Sequence, residues 1–307
     1  FAGFLIQIIP NTNKLNAIFL KCYVSGYHYW KWITLMSARS GQPGINAEEY
    51  SSMPIPYPKL QEQEKIAAIL STWDDAIAKQ EQLIEHKQVF KKGIMQQIFS
   101  QRVRFKDDNK NDYKAWQARK LNDFLIFVPR EVNKPSDNYL AIGVRSHAKG
   151  TFQKRCIDPN DNAMDKLYLV KENDLIVNIT FAWEGAIAIV KPSDDGGYVS
   201  HRFPTYTFNE AQAISSYFKF IICRKDFISM LDLISPGGAG RNRVLSKTAF
   251  LNLSVNLPCV DEQTKIANFL TIIDDELTKQ TEFLDQLKLQ KQSLMQKLLT
   301  GQVRIIL

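Results

Sequence analysis

The feature that most constrains this chain is a repetition of part of itself. Pro58-Lys-Leu-Gln-Glu-Gln-Glu-Lys-Ile-Ala opens a segment that runs to Arg104, and Pro258-Cys-Val-Asp-Glu-Gln-Thr-Lys-Ile-Ala opens a second that runs to Arg304. The offset is a constant 200 residues, and about 16 of 47 positions match without a gap. Each copy carries apolar residues at alternating spacings of four and three. Ile66, Leu70, Trp73, Ile77 and Ile84 mark the first seam, and Ile266, Leu270, Ile273, Leu277 and Leu284 the second. This is a heptad pattern held over several turns with no proline inside, so each copy is predicted to be one long helix. Acidic residues (Glu62, Glu64; Asp261, Glu262) fill the first turn, where the helix dipole favours them.

A lone helix with such a seam would expose it to water, so the two copies are expected to pack on each other. Gln80 and Gln280, and Lys91 and Lys291, place polar side chains at matching seam positions. Two readings stand. Either these residues fix the register from inside the seam, or they lie at its edge with their heads in water.

The repeat continues upstream of the helices more faintly, pairing Ile45 with Leu245, Tyr50 with Phe250, Met53 with Leu253 and Ile55 with Val255. Residues 1–57 therefore read as the tail of a domain whose whole copy is 108–257. The order is a partial domain (1–57), a spacer helix (58–107), a whole domain (108–257) and a second spacer helix (258–307). The chain starts at Phe1, and its natural start is expected to lie upstream.

The 108–257 domain is expected to mix α and β, giving an α+β fold overall. Leu175–Val177 and Ala186–Val190 read as two strands around a Trp183-Glu-Gly turn, and 214–233 has helical spacing. The polar run 106–114 reads as a hinge. The formal charge of +7 and pI near 9.1 permit a polyanion partner without requiring one. Four scattered cysteines (Cys22, Cys156, Cys223, Cys259) lack metal spacing and read as buried thiols of a reducing compartment. No apolar run reaches the roughly 20 residues that span a bilayer, so a cytoplasmic location without membrane contact is expected.

Pro-x-x-x-Glu-Gln-x-x-Ile-Ala, the following Leu-x-x-x-Asp, and the ending Leu-Leu-Thr-Gly-Gln-Val-Arg at 298–304 together resemble the conserved regions of type I restriction-modification specificity subunits. Asp174-Leu-Ile-Val-Asn, Trp183-Glu-Gly-Ala-Ile-Ala-Ile-Val and Tyr198-Val-Ser-His-Arg-Phe-Pro-Thr-Tyr look like stretches of that family's target recognition domains. The resemblance implies a non-catalytic subunit that reads half of a bipartite site on double-stranded DNA per recognition domain. Its helices would pair as an antiparallel coiled coil, act as a spacer and bind methyltransferase (M) subunits, and restriction (R) subunits would join the complex. S-adenosylmethionine, ATP and Mg would then belong to partner subunits, with no cofactor or metal held here. The first recognition domain is shorter than the family pattern expects.

Candidate DNA contacts follow from residue chemistry. Ser235-Pro-Gly-Gly-Ala-Gly-Arg-Asn-Arg combines glycines, which let backbone approach a surface, with Arg241, Asn242 and Arg243, which can bridge phosphates or bond base edges. The matching loop of the partial domain offers Arg39 and Gln42. Further candidates are Arg145, Ser146, His147, Lys149, Lys154, Arg155, His201 and Arg202. Trp183 reads as a core residue or a stacking platform.

Two other functional classes compete. A DNA-cutting or DNA-methylating enzyme would need a phosphate loop, an Asp/Asn-Pro-Pro-Tyr motif or clustered carboxylates; Asp158-Pro-Asn-Asp departs from the second, and Asp107, Asp108 and Lys110 offer only a fragment of the third. A coiled-coil scaffold without DNA binding explains the helices and leaves the globular domain idle.

Overall fold

The structure is a computed structural model that describes residues 5–237 and 243–306, with 155–157 described in backbone alone. The chain divides into two compact units, one formed by Phe1–Met95 with Ile273–Leu307 and the other by Gln96–Ile272.

Two helices of 40 residues dominate the element order, α4 (Leu60–Phe99) and α9 (Val260–Leu299). At about 1.5 Å per residue each is roughly 60 Å long. Both stop short of the repeat's end, where a left-handed residue closes each helix. Gln101 (φ 60°) and Gly301 (φ 72°) adopt the left-handed conformation that closes a helix, and their amides turn back to Ile98 O and Leu298 O.

Within the first unit α4 and α9 run antiparallel. Gln80 is buried and donates from Nε2 to the main-chain oxygen of Gln280 at 3.0 Å and to its Oε1 at 2.8 Å. Lys91 pairs with Asp274 and Lys291 with Asp74, and these lysines are only partly buried. The glutamine layer thus sits inside the seam and the lysines at its edge. One buried amide pair satisfies itself in a single register, whereas a slip would leave donors unpaired in an apolar groove.

α1 (Ala17–Val24), α2 (Tyr27–Met36) and α3 (Ala47–Ser51) precede α4. Phe19 and Cys22 of α1 pack with Ile66, Ala67, Leu70, Leu298 and Leu299 into one core cluster. α1 is capped by Asn16, whose side chain accepts from the amides of Ile18 and Phe19.

In the second unit, β1 (Gln117–Lys120) pairs antiparallel with β11 (Ser254–Leu257). A four-stranded antiparallel sheet follows, in the order β2 (Leu125–Phe127), β10 (Thr205–Phe208), β7 (Leu175–Val177), β8 (Ile187–Ile189). A five-stranded sheet is ordered β3 (Glu131–Asn133), β6 (Lys166–Leu169), β9 (Tyr198–Val199), β4 (Tyr139–Val144), β5 (Thr151–Ile157). The apolar stretches 175–177 and 187–189 form paired strands, and Ile176, Ala186, Ala188 and Val190 join Ile142, Val144, Val170 and Val199 in one core cluster. α5 (Leu121–Phe124), α6 (Ser215–Ile221), α7 (Lys225–Leu233) and α8 (Lys247–Leu251) complete the unit.

Three sequence expectations need correction. The helical stretch 214–233 is two helices, because the break at Cys223–Arg224 lets Phe218 and Phe227 meet edge to face at 5.9 Å. The polar run 106–114 is a closed turn and not an open hinge. Asp107 accepts from the amides of Asn109 and Asn111, Lys106 bridges to Asp112, and Asp108 pairs with Lys265. Cys223 and Cys259 are exposed; only Cys22 is buried among the cysteines whose side chains are described.

The repeated Glu-Gln pair has one function in both copies. Gln63 accepts from Asn16 N and donates to Lys14 O and Pro58 O; Gln263 accepts from Ile214 N and donates to Gln212 O and Pro258 O. Glu62 receives Arg304 at 2.6 Å, and Glu262 receives Arg104 at 2.7 Å. Glu262 also accepts from Trp116 Nε1 at 3.2 Å. All four of these Glu and Gln residues are buried.

Gln101→Gly should stabilise the protein by about 0.5–1 kcal/mol, raising Tm by a few degrees, since it relieves a side chain held at positive φ where the sister copy has glycine. Thermal unfolding checks it. The Arg304 guanidinium hydrogen-bonded to Glu62 holds that carboxyl below its ordinary value of 4.5. A depressed carboxyl stabilises the fold above that value and loses its contribution as pH falls through the lowered one. Glu62→Gln should therefore lower stability at neutral pH and flatten its decline on acidification, read by urea unfolding across pH 3–7.

Candidate nucleic-acid interface

The β4–β5 hairpin tip, residues 145–150, carries four of the sequence candidates. Arg145 N donates to Gly150 O at 2.9 Å to close the tip, and His147 (φ 61°), Ala148 (φ 50°) and Gly150 (φ 83°) are all left-handed. A left-handed pair of non-glycine residues persists only where neighbours enforce it. The neighbour is a 3-10 turn, Ala182–Glu184, closed by Gly185. Glu184 O accepts from His147 N at 2.7 Å, Gly185 O from Ala148 N at 2.8 Å, and the Glu184 Oε2 from Ser146 Oγ at 2.7 Å. Gly185 (φ 75°) is required: a Cβ there would meet the Ile228 side chain of α7 at 3.2 Å.

Two further segments reach the same turn. Ile179 N donates to Arg202 O at 3.0 Å, and Leu245 N donates to Ile179 O at 2.9 Å. Arg202 Nη1 stands 3.3 Å from Thr180 Oγ1. Arg243 lies over the half-buried Trp183 ring, 5.0 Å from its centroid. Segments 145–150, 200–203 and 243–245, distant in sequence, thus converge on residues 179–185.

The candidates divide by what already holds their donors. Arg243 donates from Nε to Ser235 O and from Nη2 to Asp232 O and Asp232 Oδ1, so two of its three nitrogens are engaged within the chain itself. Arg145 donates to Thr151 O and lies over Phe152, and Ser146 is committed to Glu184. Lys149, His147, His201 and Arg202 are exposed around the convergence, while Lys154 is exposed on β5. Arg155 belongs to β5, with its side chain outside the described residues, as are Arg241 and Asn242 entirely.

In the first unit Arg39 is bound to Glu49 and to Gly44 O, and Gln42 is exposed. Gln42 lines a cavity of about 890 Å³ with Leu5, Tyr29, Ile33, Ile45 and Tyr50. Leu245 and Phe250, the repeat partners of Ile45 and Tyr50, are buried instead, Phe250 beside Tyr206. Burial and a hydrogen bond with Tyr29 push the Tyr50 phenol up.

Sequence reasoning missed Glu184, which it read only as part of a turn, and Lys191, whose side chain passes Gly150. The signal for Glu184 was an acidic residue between an aromatic and a glycine inside a basic domain. Among the described residues no three His, Cys, Asp or Glu side chains are grouped to hold a metal ion, and no described helix is long and apolar enough to cross a membrane.

The model of the family "type I restriction modification DNA specificity domain" matches residues 1–88 and 87–288. The chain belongs to that family. It is 24% identical over 317 residues to a putative type I restriction enzyme MjaX specificity subunit of Methanocaldococcus jannaschii, covering 98% of this chain and 71% of the relative. It is 25% identical over 309 residues to the type I restriction enzyme MjaVIII specificity subunit of the same organism, covering 95% and 69%. The fold resembles the crystal structure of a type I restriction-modification S subunit from M. genitalium, with a TM-score of 0.56 at 14% identity over 94% of this chain and 74% of that one. The chain thus spans about seven tenths of these family members.

Arg243 offers a direct test of the division between held and exposed cations. Arg243→Ala should cost about 1–2 kcal/mol of stability through lost charged hydrogen bonds and the exposed Trp183 face. Urea unfolding measures this. DNA affinity lost at unchanged stability would instead make Arg243 a contact residue.

Proposed function

We propose that this chain is the DNA-reading subunit of a type I restriction-modification complex, and that residues 108–257 read one half of a bipartite site in double-stranded DNA. The observation that carries the reading is the convergence of three basic segments on the 179–185 turn. The domain holds 20 Lys and Arg against 16 Asp and Glu, and its exposed Lys149, Lys154 and Arg202 suit phosphate contacts. Arg241 and Asn242 belong to the same reading as base-edge candidates, beside Arg243.

Residues 1–57 are proposed as the tail of the first recognition domain, with 108–257 as the second, and offer Arg39 and Gln42. The helix segments 58–107 and 258–307 are proposed to bind the methyltransferase subunits, through which restriction subunits join. Chemistry, and with it S-adenosylmethionine, ATP and Mg, is assigned to those partners, and the work to the cytoplasm.

Selection from a randomised duplex library, followed by sequencing, tests the reading: one short base pattern should emerge. Lys149→Ala and Arg202→Ala should each weaken binding to every duplex and lower the slope of log affinity against log salt by about 0.9 per lost phosphate contact. No enrichment by the wild type would end the proposal.

The helix assignment has its own test. Ile273 is buried and Leu277 partly buried in the seam, and a carboxylate at either position is costly. The double change of both to Asp should abolish co-purification with methyltransferase subunits while leaving secondary structure in 108–257 intact. Wild-type yield would mean that partners do not depend on the helix pair.

A further inference from the structure

We propose that Glu184 is the positioning residue that sets the reading loop 145–150 in its binding shape. The inference rests on the DNA-reading proposal for residues 108–257 and goes beyond it. The hairpin tip carries two adjacent left-handed non-glycine residues, His147 and Ala148, a conformation that a free loop abandons. Both amides are fixed by one short stretch of backbone, Glu184 O and Gly185 O, at 2.7 and 2.8 Å. The Glu184 carboxylate adds a charge-assisted bond from Ser146 Oγ at 2.7 Å. One residue thus grips two consecutive loop positions, one through its main chain and one through its side chain.

The far side of the grip is rigid. Gly185 packs against Ile228 of α7, and Ala182, Gly185 and Ala186 are buried. The strand Ile187–Ile189 follows directly and pairs with Leu175–Val177 in the four-stranded sheet. Glu184 therefore ties the loop to the core of its unit, and what the loop presents outward is His147 and Lys149, both exposed.

A carboxylate inside a basic cluster is unfavourable for a polyanion unless it is occupied. Its Oε2 is occupied by Ser146 Oγ, and the adjoining His147 amide is bonded to the Glu184 main-chain oxygen. Pre-setting a loop removes the ordering cost from the binding step, so the grip raises affinity without touching DNA.

The test uses the full chain and the duplex enriched in the library selection. Glu184→Ala should weaken binding about tenfold, a size set by loss of one charged hydrogen bond and the loop's order. Glu184→Gln, whose amide oxygen still accepts from Ser146, should stay within about twofold of wild type. Lys149→Ala should weaken wild type but have little added effect in the Glu184→Ala background, because the loop no longer presents the lysine. Amide exchange at His147 and Ala148 should accelerate in the free Glu184→Ala protein at unchanged exchange in 175–177 and 187–189.

Equal affinity of wild type and Glu184→Ala, or a Lys149→Ala effect of the same size in both backgrounds, overturns the assignment. So does unchanged exchange at 147–148. If wild type binds no duplex, the DNA reading itself falls and Glu184 has no reading role, whatever the exchange shows. Should Glu184→Ala fail to fold, Ser146→Ala carries the same cycle with Lys149→Ala, and independence there overturns the proposal.

Discussion

Everything else in the molecule hangs on a pair of buried polar residues at the head of each long helix. A glutamine without partners is costly to bury, and an unpaired carboxylate more so. Gln63 and Gln263 are tolerated because each meets three backbone groups, one in the proline just before its helix and two in the segment that opens an earlier helix, α1 or α6. Glu62 and Glu262 are affordable because an arginine forty-two residues onward in the repeat's frame reaches one from each copy. Once those bonds are made, the start of the long helix, the start of an earlier helix (α1 or α6) and the turn after a long helix are fixed together. The apolar seam supplies the driving force; the polar pair decides which arrangement it drives toward.

The same logic appears at the middle of the seam. Gln80 and Gln280 satisfy each other, and Lys91 and Lys291 reach out to Asp274 and Asp74. Apolar contact tolerates sliding by a heptad, and hydrogen bonds between amides do not. An antiparallel pair with one internal amide layer and lysines at the edge has a single good register.

In the globular unit the corresponding fixed point is the turn at 179–185. It is anchored to the sheet core on one side and accepts the three basic segments on the other. That division explains why several basic residues chosen by chemistry alone are tied up within the chain. Arg243 and Arg145 hold the platform together, and Lys149 and Arg202 stand on it. Held arginines and exposed lysines have the same formal charge, and only their surroundings tell them apart.

The sequence by itself determined the two long helices, their packing on each other, the mixed α and β character and the strands around Trp183, because periodicity and repetition are local or self-referential signals. It also marked the Glu-Gln pair as repeated, though not why. Partner identity was decided only by tertiary structure, since Glu62 and Arg304 are 242 positions apart and nothing in their spacing reports that they meet. The break between Ile221 and Lys225, the closed 106–114 turn and the grip of Glu184 on His147 are of the same kind. Each depends on a through-space contact whose energy exceeds the local preference of the residues that make it.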